Sequence, residues 1–340
     1  MAVDLGIVIV SWNVRELLAA CLDSVYVDLA ASNLRARVCV VDNDSRDGSA
    51  ELVRTQFPHT QLIESENRGM GAGNNLGLKA LRSDDGRQTK NGQSLPTIVS
   101  GLPSFFLILN PDTLIRPGAL RALVDFLRAN PKAAIAAPKL VNADGTLQHS
   151  GFRFPGVIQA ALDLFPPPPR LWRLIDSPLN GRYPASRYAA SPFRVDFALG
   201  AALAVRAEAI PNGELFDESF FMYCEEIDAQ WRLRAQGWET WLVPSAEVIH
   251  LGGRSSSQVA SRSFVNLWTS RRKLYRRYHG PLVNALVAGL VQAAMRQRIR
   301  ANHRASQNGQ LPPDRRAELN AMLNEVIAVW SRRPSVKREA

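Results

Sequence analysis

Four short apolar runs, each followed at once by a polar cluster, limit most strongly what this chain can fold into. GIVIV (Gly6 to Val10) leads into Ser11-Trp12-Asn13, VCVV (Val38 to Val41) into Asp42-Asn43-Asp44, QLIES (Gln61 to Ser65) into Asn67-Arg68-Gly69, and FFLILN (Phe105 to Asn110) into Pro111-Asp112. Short apolar runs bounded by turn residues read as strands buried on both faces. Val14, Leu17, Leu18, Cys21, Leu22 and Val25 recur at helical spacing after the first run, with Asn13 and Glu16 as a capping-box-like start. ELVRTQF and the second half of NRGMGAGNNLGLKAL read as further helices. This alternation predicts an α/β fold with a mostly parallel sheet flanked by helices. Ligands of such sheets bind beyond the carboxyl ends of the strands, so the four polar clusters are expected to meet at one edge.

Further along, Ser83 to Ser104 is polar and rich in Gly, Pro and Ser, and reads as a long surface loop. Pro117 suits a first helical turn, with Leu120, Leu123, Val124 and Leu127 at helical spacing until Asn130-Pro131. Ala133 to Pro138 is another short strand, Phe152 to Phe193 reads as loop-rich, and DFALGAALAVRAEAI restores strand character. The expected organisation is one α/β domain over 1–253 in two halves (1–115 and 116–253), then a basic helical extension over 254–340.

At 340 residues and 46% hydrophobic content, the chain can fill a core without staples. Its three cysteines, Cys21, Cys39 and Cys224, match neither a zinc site nor a disulfide framework, which points to a reducing compartment. MAVDLGIVIVSWN lacks a basic n-region and a long apolar core, so no secretory signal is read and a cytoplasmic location is expected. The net charge of +10 is concentrated beyond Arg254, which implies anionic partners: phosphate-bearing substrate, anionic lipid or nucleic acid. PLVNALVAGLVQAAM (Pro281 to Met295) is too short to span a bilayer comfortably. Between basic flanks it reads equally as an interfacial helix on anionic headgroups or as an ordinary packed helix.

Three features carry chemistry. Asp112, held behind Pro111 at a strand end, is placed to bind a divalent cation, Mg2+ or Mn2+, that bridges phosphates; its structural alternative is a turn or helix cap. In NRGMGAGNNLG the dinucleotide spacing fails at Asn74, but the glycines still allow close backbone approach, and Asn67, Arg68, Asn74 and Asn75 supply donors. In FMYCEEIDAQWRLRAQG a helix from about Glu225 puts Glu225 and Asp228 on one face and pairs Asp228 with Arg232, with Glu226 turned aside. Acids in a first helical turn are favoured by the macrodipole alone, so this cluster is either a general base or a helix start. His250, between an apolar strand and Gly252-Gly253, is a metal ligand or a polar strand end.

The ordered series IVIVSWN, VVDNDSRDGS, NRGMGAGNNLG, LILNPDT, GAALAVRAEAI, FDESFFMYCEEIDAQWRLRAQGW and VIHLGG resembles glycosyltransferase family 2, the GT-A fold, in its rhamnosyltransferase-like branch, from about Val3 to Gly253. That resemblance makes residues 1–253 the catalytic domain, with 1–115 its nucleotide-sugar half and 116–253 its acceptor half; by it Trp12 lies against the nucleobase of a nucleotide-sugar donor and Asp42 reads the base edge. Asn13 and Asn43 stand beside them, and Asn67 with Gly69 to Asn75 lines the nucleoside and sugar. Asn110-Pro111-Asp112 stands where the family has D-x-D, with Asn110 replacing the first acid, so Asp112 is the implied metal ligand and His250 joins the metal or diphosphate site. Glu226 occupies the position of the family's base, usually Asp, with Glu225 and Asp228 as the other candidates.

The resulting expectation is a metal-dependent inverting glycosyltransferase at the inner face of the plasma membrane. It would move a sugar, with thymidine-diphosphate rhamnose the preferred donor, to a lipid-linked or polysaccharide acceptor. A nucleotidyltransferase is the rival, since Asp112 with Mg2+ could serve attack on an α-phosphate. A non-catalytic carbohydrate or nucleic-acid binding module ranks last, because no nucleic-acid motif accompanies the basic tail.

Overall fold

The computed structural model describes residues 3–83, 101–175, 177–252 and 260–331, without the side chains of 172–174. Most of the expected surface loop (84–100), the start of the basic tail and its last residues lie outside the described residues. In chain order the elements are β1 (Val3–Ser11), α1 (Arg15–Ser32), β2 (Ala36–Asn43), α2 (Ser49–Gln56), β3 (Gln61–Ser65), α3 (Met70–Arg82), β4 (Pro103–Leu109), β5 (Thr113–Ile115), α4 (Ala119–Ala129) and β6 (Ala133–Val141). They continue with β7 (Leu147–Gln148), β8 (Gly151–Phe152), α5 (Val157–Leu164), β9 (Phe193–Val195), β10 (Phe197–Ala198), β11 (Ala202–Arg206), α6 (Glu225–Ala235) and β12 (Glu239–His250). Three helices follow: α7 (Ala260–Tyr278), α8 (Pro281–Gln307) and α9 (Pro313–Ser331).

The chain forms two compact units. The first comprises Met1–Phe154, Arg182–Phe221 and Glu225–Ser255; the second comprises Pro155–Gly181, Met222–Cys224 and Ser256–Ala340. Pro155–Gly181, read from sequence as part of the acceptor half, therefore groups with the C-terminal helices. That stretch is also less irregular than expected, because it contains α5. Ala160 and Leu164 supply its buried positions, a pattern too short and too close to the PPPP run to stand out.

In the first unit the sheet runs β3-β2-β1-β4-β11-β6-β12-β5. β1 pairs in parallel with β2 and β4, β2 pairs in parallel with β3, and β11 runs antiparallel between β4 and β6. The chain steps outward from β1 through β2 to β3 and then crosses to β4 on the other side, so the order reverses at β1. Strand periodicity divides the two cores. Leu5, Ile7 and Ile9 pack with residues of α1, α2 and α4, while Val8 and Val10 pack with Leu78, Leu81, Ala229 and Leu233 on the opposite face.

Two helix starts use long-range acids instead of local caps. Asn13 adopts a left-handed backbone (φ 52°) and its side chain accepts the Arg46 N–H at 2.7 Å, which replaces the expected capping box. Asp47 Oδ2 accepts the Arg15 N–H at 2.8 Å and closes the start of α1. Buried Asp28 accepts the N–H groups of Gly118 and, at 3.0 Å, Leu120 at the start of α4, leaving Pro117 outside that helix.

In the second unit α5, α7, α8 and α9 enclose Trp268, Tyr275, Val287, Val291, Met295, Leu323, Val326 and Trp330. α8 is thus a packed helix on one side. Asn284, its polar interruption, donates to Tyr275 O at 3.0 Å and His279 O at 2.7 Å, tying its start to the end of α7. Its other side leaves Leu282 at 73% and Leu286 at 50% exposure. Among the described residues no helix is long and apolar enough to cross a membrane.

The glycines of α3 explain how closely it approaches the sheet. A Cβ at Gly77 would lie 2.4 Å from Val8 Cγ1, and one at Gly73 would lie 2.9 Å from Val10 Cγ1. Ala in a helix is favoured over Gly by about 1 kcal/mol, whereas overpacking typically costs about 1–3 kcal/mol. Val8 is wholly buried in a central strand and has nowhere to move, so overpacking wins. Gly77→Ala is expected to lower the stability measured by urea unfolding by about 1–2 kcal/mol; an unchanged or raised midpoint would show that α3 can ride away from β1.

Candidate active site

Strand order reverses at β1, and open α/β sheets bind ligands beyond the carboxyl ends of the strands at such a reversal, here the ends of β1 and β4. Ser11 and Asp42 are register partners at the ends of β1 and β2. Both are buried, at 1% and 3% exposure. Asp42 Oδ2 accepts the Ser45 N–H at 3.0 Å, while Asp42 Oδ1 and Ser11 Oγ have no hydrogen-bond partner. Leaving a buried polar atom unmatched is costly, so this adjacent pair is suited to a ligand's polar edge. Half-buried Trp12 is the next residue along the chain.

The glycine-rich segment joins the strand ends more through structure than through spare donors. Asn67 Oδ1 accepts the Gly69 N–H at 3.2 Å, and Asn43 Nδ2 donates to Gly69 O at 3.3 Å. Gly69 itself needs its left-handed φ of 101°, and a Cβ there would fall 2.2 Å from Phe221 O. Asn75 is fully engaged: it accepts from the N–H groups of Leu215 (3.1 Å) and Phe216 (3.0 Å), and donates to Phe216 O (2.8 Å) and Glu218 (3.3 Å). It is therefore a strut for the 215–218 loop, not the spare donor expected from sequence. Asn74 donates to Met70 O at 3.0 Å, and its buried Oδ1 has no partner. Arg68 is largely exposed and faces Glu218 at 3.4 Å.

Asp112 sits at the turn between β4 and β5, which Thr113 Oγ1 closes by donating to Asn110 O at 2.7 Å. The antiparallel pairing of β5 with β12 sets His250 opposite Thr113, and the Leu251 N–H reaches Asp112 O at 2.9 Å. His250 Nε2 lies 3.4 Å from Asp112 Oδ1, both side chains nearly buried. Gln148 Oε1, on β7, meets His250 Nδ1 at 2.7 Å. Sequence reasoning missed Gln148, since only the β6–β7 hairpin carries it to a residue 102 positions away.

The acids of α6 separate by environment. Asp228 is wholly buried and pairs with Arg232 at 2.9 Å, and Arg232 also donates to Leu215 O at 2.6 Å. Its expected i, i+4 pairing is present, and it commits Asp228 to holding the 215 loop, which removes it as a proton acceptor for substrate. Glu225 lies against Gly71, with Oε2 buried and unpartnered, whereas Glu226 packs on Gly200. Asn110 N–H reaches Ala201 O at 2.9 Å, next to Gly200. These contacts bring the Asp112 turn and Glu226 to the same end of the sheet.

Burial, and then the charge of Glu226, push the Glu225 carboxyl up to about 8 from its ordinary 4.5. Between those values the native state holds a proton that the unfolded chain has released. The stabilisation is complete below about pH 4.5 and is lost as pH rises through about 8. Wild-type melting temperature should therefore fall relative to that of Glu225→Gln as pH rises through this window; parallel profiles would show that Glu225 ionises normally.

Comparison with known proteins agrees with this layout. The family model described as glycosyl transferase family 2 matches residues 6–173. A Mycobacterium tuberculosis protein named N-acetylglucosaminyl-diphospho-decaprenol L-rhamnosyltransferase is 28% identical over 222 residues, 65% of this chain and 68% of that protein. The low-salt glycan biosynthesis hexosyltransferase Agl10 of Haloferax volcanii is 24% identical over 250 residues, 73% of this chain and 67% of that protein. Among solved structures, the mannosyltransferase PcManGT of Pyrobaculum calidifontis, in complex with GDP-Man and Mn2+, superposes with a TM-score of 0.53 at 15% identity, covering 97% of this chain and 86% of that one. GalNAc-T7 with UDP, GalNAc and Mn2+ gives 0.50 at 14% identity, covering 73% of this chain but only 43% of that one. With the strand-end clusters and the α6 acids arranged on this sheet, the chain is a glycosyltransferase with the GT-A fold whose residues 6–173 match glycosyltransferase family 2.

Proposed function

We propose that the protein is a cation-dependent, inverting glycosyltransferase that moves a sugar, with rhamnose from thymidine-diphosphate rhamnose the preferred case, onto a lipid-linked acceptor. The observation that carries this reading is that the turn holding Asp112, which faces His250 at 3.4 Å, bonds to Ala201 beside Gly200, the residue on which Glu226 packs. The rhamnosyltransferase relative, whose name specifies a decaprenol-linked acceptor, supports the choice of sugar and acceptor.

Asp112 and His250 fit a divalent cation, since a carboxylate oxygen and an imidazole nitrogen face each other at 3.4 Å in a nearly buried setting. When bound, the cation supplies charge neutralisation to the departing diphosphate. Ser11 and Asp42 offer their unmatched buried oxygens to the nucleobase edge, with Trp12 as its flat wall. Glu225, kept protonated by burial, leaves the pair's negative charge on the more accessible Glu226. Glu226 takes the proton of an acceptor hydroxyl as that oxygen bonds to the anomeric carbon. The bond from that carbon to the diphosphate oxygen breaks on the opposite face, and nucleoside diphosphate leaves with the bonding electrons.

Donor, acceptor and Mn2+ mixed with the enzyme should release nucleoside diphosphate and no pyrophosphate. Glu226→Gln should lower turnover by about 10²- to 10⁴-fold with the circular-dichroism spectrum unchanged. Asp112→Ala should abolish stimulation by Mn2+. Wild-type turnover in both variants would remove the site assignment, and pyrophosphate as product would replace the reaction.

A peripheral position on the membrane suits such an acceptor. Ile158 and Phe165 at the two ends of α5 are exposed, as are Leu282 and Leu286 at the start of α8, against which α5 packs. α7 and α8 carry six and four basic residues and no acid. A second copy docked there about a two-fold axis would oppose the same cationic helices, whereas an anionic bilayer complements them. Flotation with vesicles containing phosphatidylglycerol should recover the protein, less so at high salt, and Leu282→Ser with Leu286→Ser should reduce recovery several-fold. Equal recovery of the variant, or a dimer that the variant abolishes, would reject this position.

A further inference from the structure

We propose that Asp144, Thr146, Asn142 and Gln148 form a hydrogen-bond relay that fixes the tautomer of His250 and so presents its Nε2 lone pair beside Asp112. The inference deepens the cation reading given above and rests on it.

The direction of each bond follows from the inventory of donors and acceptors. An ionised Asp144 carboxylate only accepts, and Thr146 Oγ1 donates to Asp144 Oδ1 at 2.6 Å. The bonds from Thr146 hold that carboxyl below its ordinary value. The single Thr146 hydroxyl proton is thereby committed, so at 2.9 Å from the Asn142 amide its oxygen can only accept, and Asn142 presents Nδ2. Asn142 then turns Oδ1 toward Gln148, which donates from Nε2 at 3.2 Å. Gln148 in turn directs Oε1 at His250 Nδ1, 2.7 Å away, and that nitrogen must carry the hydrogen. In the neutral ring the lone pair is left on Nε2, 3.4 Å from Asp112 Oδ1.

Reversing the amides would not rescue the other tautomer. With Asn142 flipped, its oxygen would face the Thr146 oxygen at 2.9 Å while the hydroxyl proton remains on Asp144, bringing two acceptors together. The backbone holds the relay in place: Asn142 N–H meets Thr146 O at 2.8 Å, Gly145 takes the left-handed turn position, and β6 pairs with β7 through Leu140 with Gln148. Partners that orient a ligating histidine from behind typically contribute about 10- to 100-fold in metal affinity.

Two readouts independent of turnover test the relay. In long-range ¹⁵N spectra of the metal-free protein, taken at a pH high enough that the ring is neutral, His250 should show protonated Nδ1 and unprotonated Nε2. Gln148→Leu should shift that population and weaken Mn2+ binding, counted by electron paramagnetic resonance of the unbound ion, by about 10- to 100-fold. Thr146→Val, on an exposed turn, should move both readouts the same way by a smaller factor, and Thr146→Ser should restore them. Protonated Nε2 in the neutral wild-type ring, or Gln148→Leu matching the wild type in both readouts, overturns the proposal; Thr146→Val matching the wild type overturns the part played by Asp144 and Thr146. A wild-type protein that binds no Mn2+ overturns the cation reading itself, a failure distinguishable because the tautomer is read without metal.

Discussion

The pairing of β1 with β2 on one side and β4 on the other, under cover on both faces, is the constraint from which the rest follows. A strand buried on both faces has no place for a polar side chain along its length, so polar residues collect where it ends. The close approach of α3 over Gly73 and Gly77 completes that cover and carries the 67–75 segment up to the strand ends. Ser11, Trp12 and Asp42 are thus held by a scaffold with little freedom to rearrange. Rigid support of this kind is what a recognition site for a flat, polar ligand edge requires.

How much of this could be read beforehand depends on the range of the interaction. Strand positions and the polar clusters beyond them were legible because apolar runs and turn chemistry act over a few residues. Glu225 and Asp228 were correctly placed on a helix, and the Asp228–Arg232 pair is a four-residue effect. The start of α1 differs from its local pattern because Asp47, 32 residues on from Arg15, supplies the cap that Asn13 and Glu16 imitate. Asp28 and Gln148 carried no local signal at all: each acts on a segment about 90 to 100 residues away, which only the folded sheet brings near.

Asn75 shows the converse error. Its position in a glycine-rich segment before a helix suggested a ligand donor, but all four of its hydrogen bonds go to the 215–218 loop. Arg232 fastens the same loop through Leu215 O, with Asp228 behind it. Two polar residues in distant parts of the chain thus hold one loop, and Phe221, a few residues further, is the group that makes a glycine obligatory at position 69. The polar network belongs to shaping the site, while the few unmatched atoms are those left to meet a ligand.

The two neighbouring glutamates divide the work by burial. Burial, and after it a neighbouring negative charge, makes a carboxyl costly to ionise, so the proton stays where solvation is poorest. That is Glu225, whose buried Oε2 has no hydrogen-bond partner. Tyr223 and Cys224, immediately before, adopt left-handed backbones at φ 67° and 66°, a conformation that costs of order 1–3 kcal/mol per non-glycine residue. Such strain persists only where the surroundings impose it, and it falls in the two residues immediately before the helix that carries both glutamates.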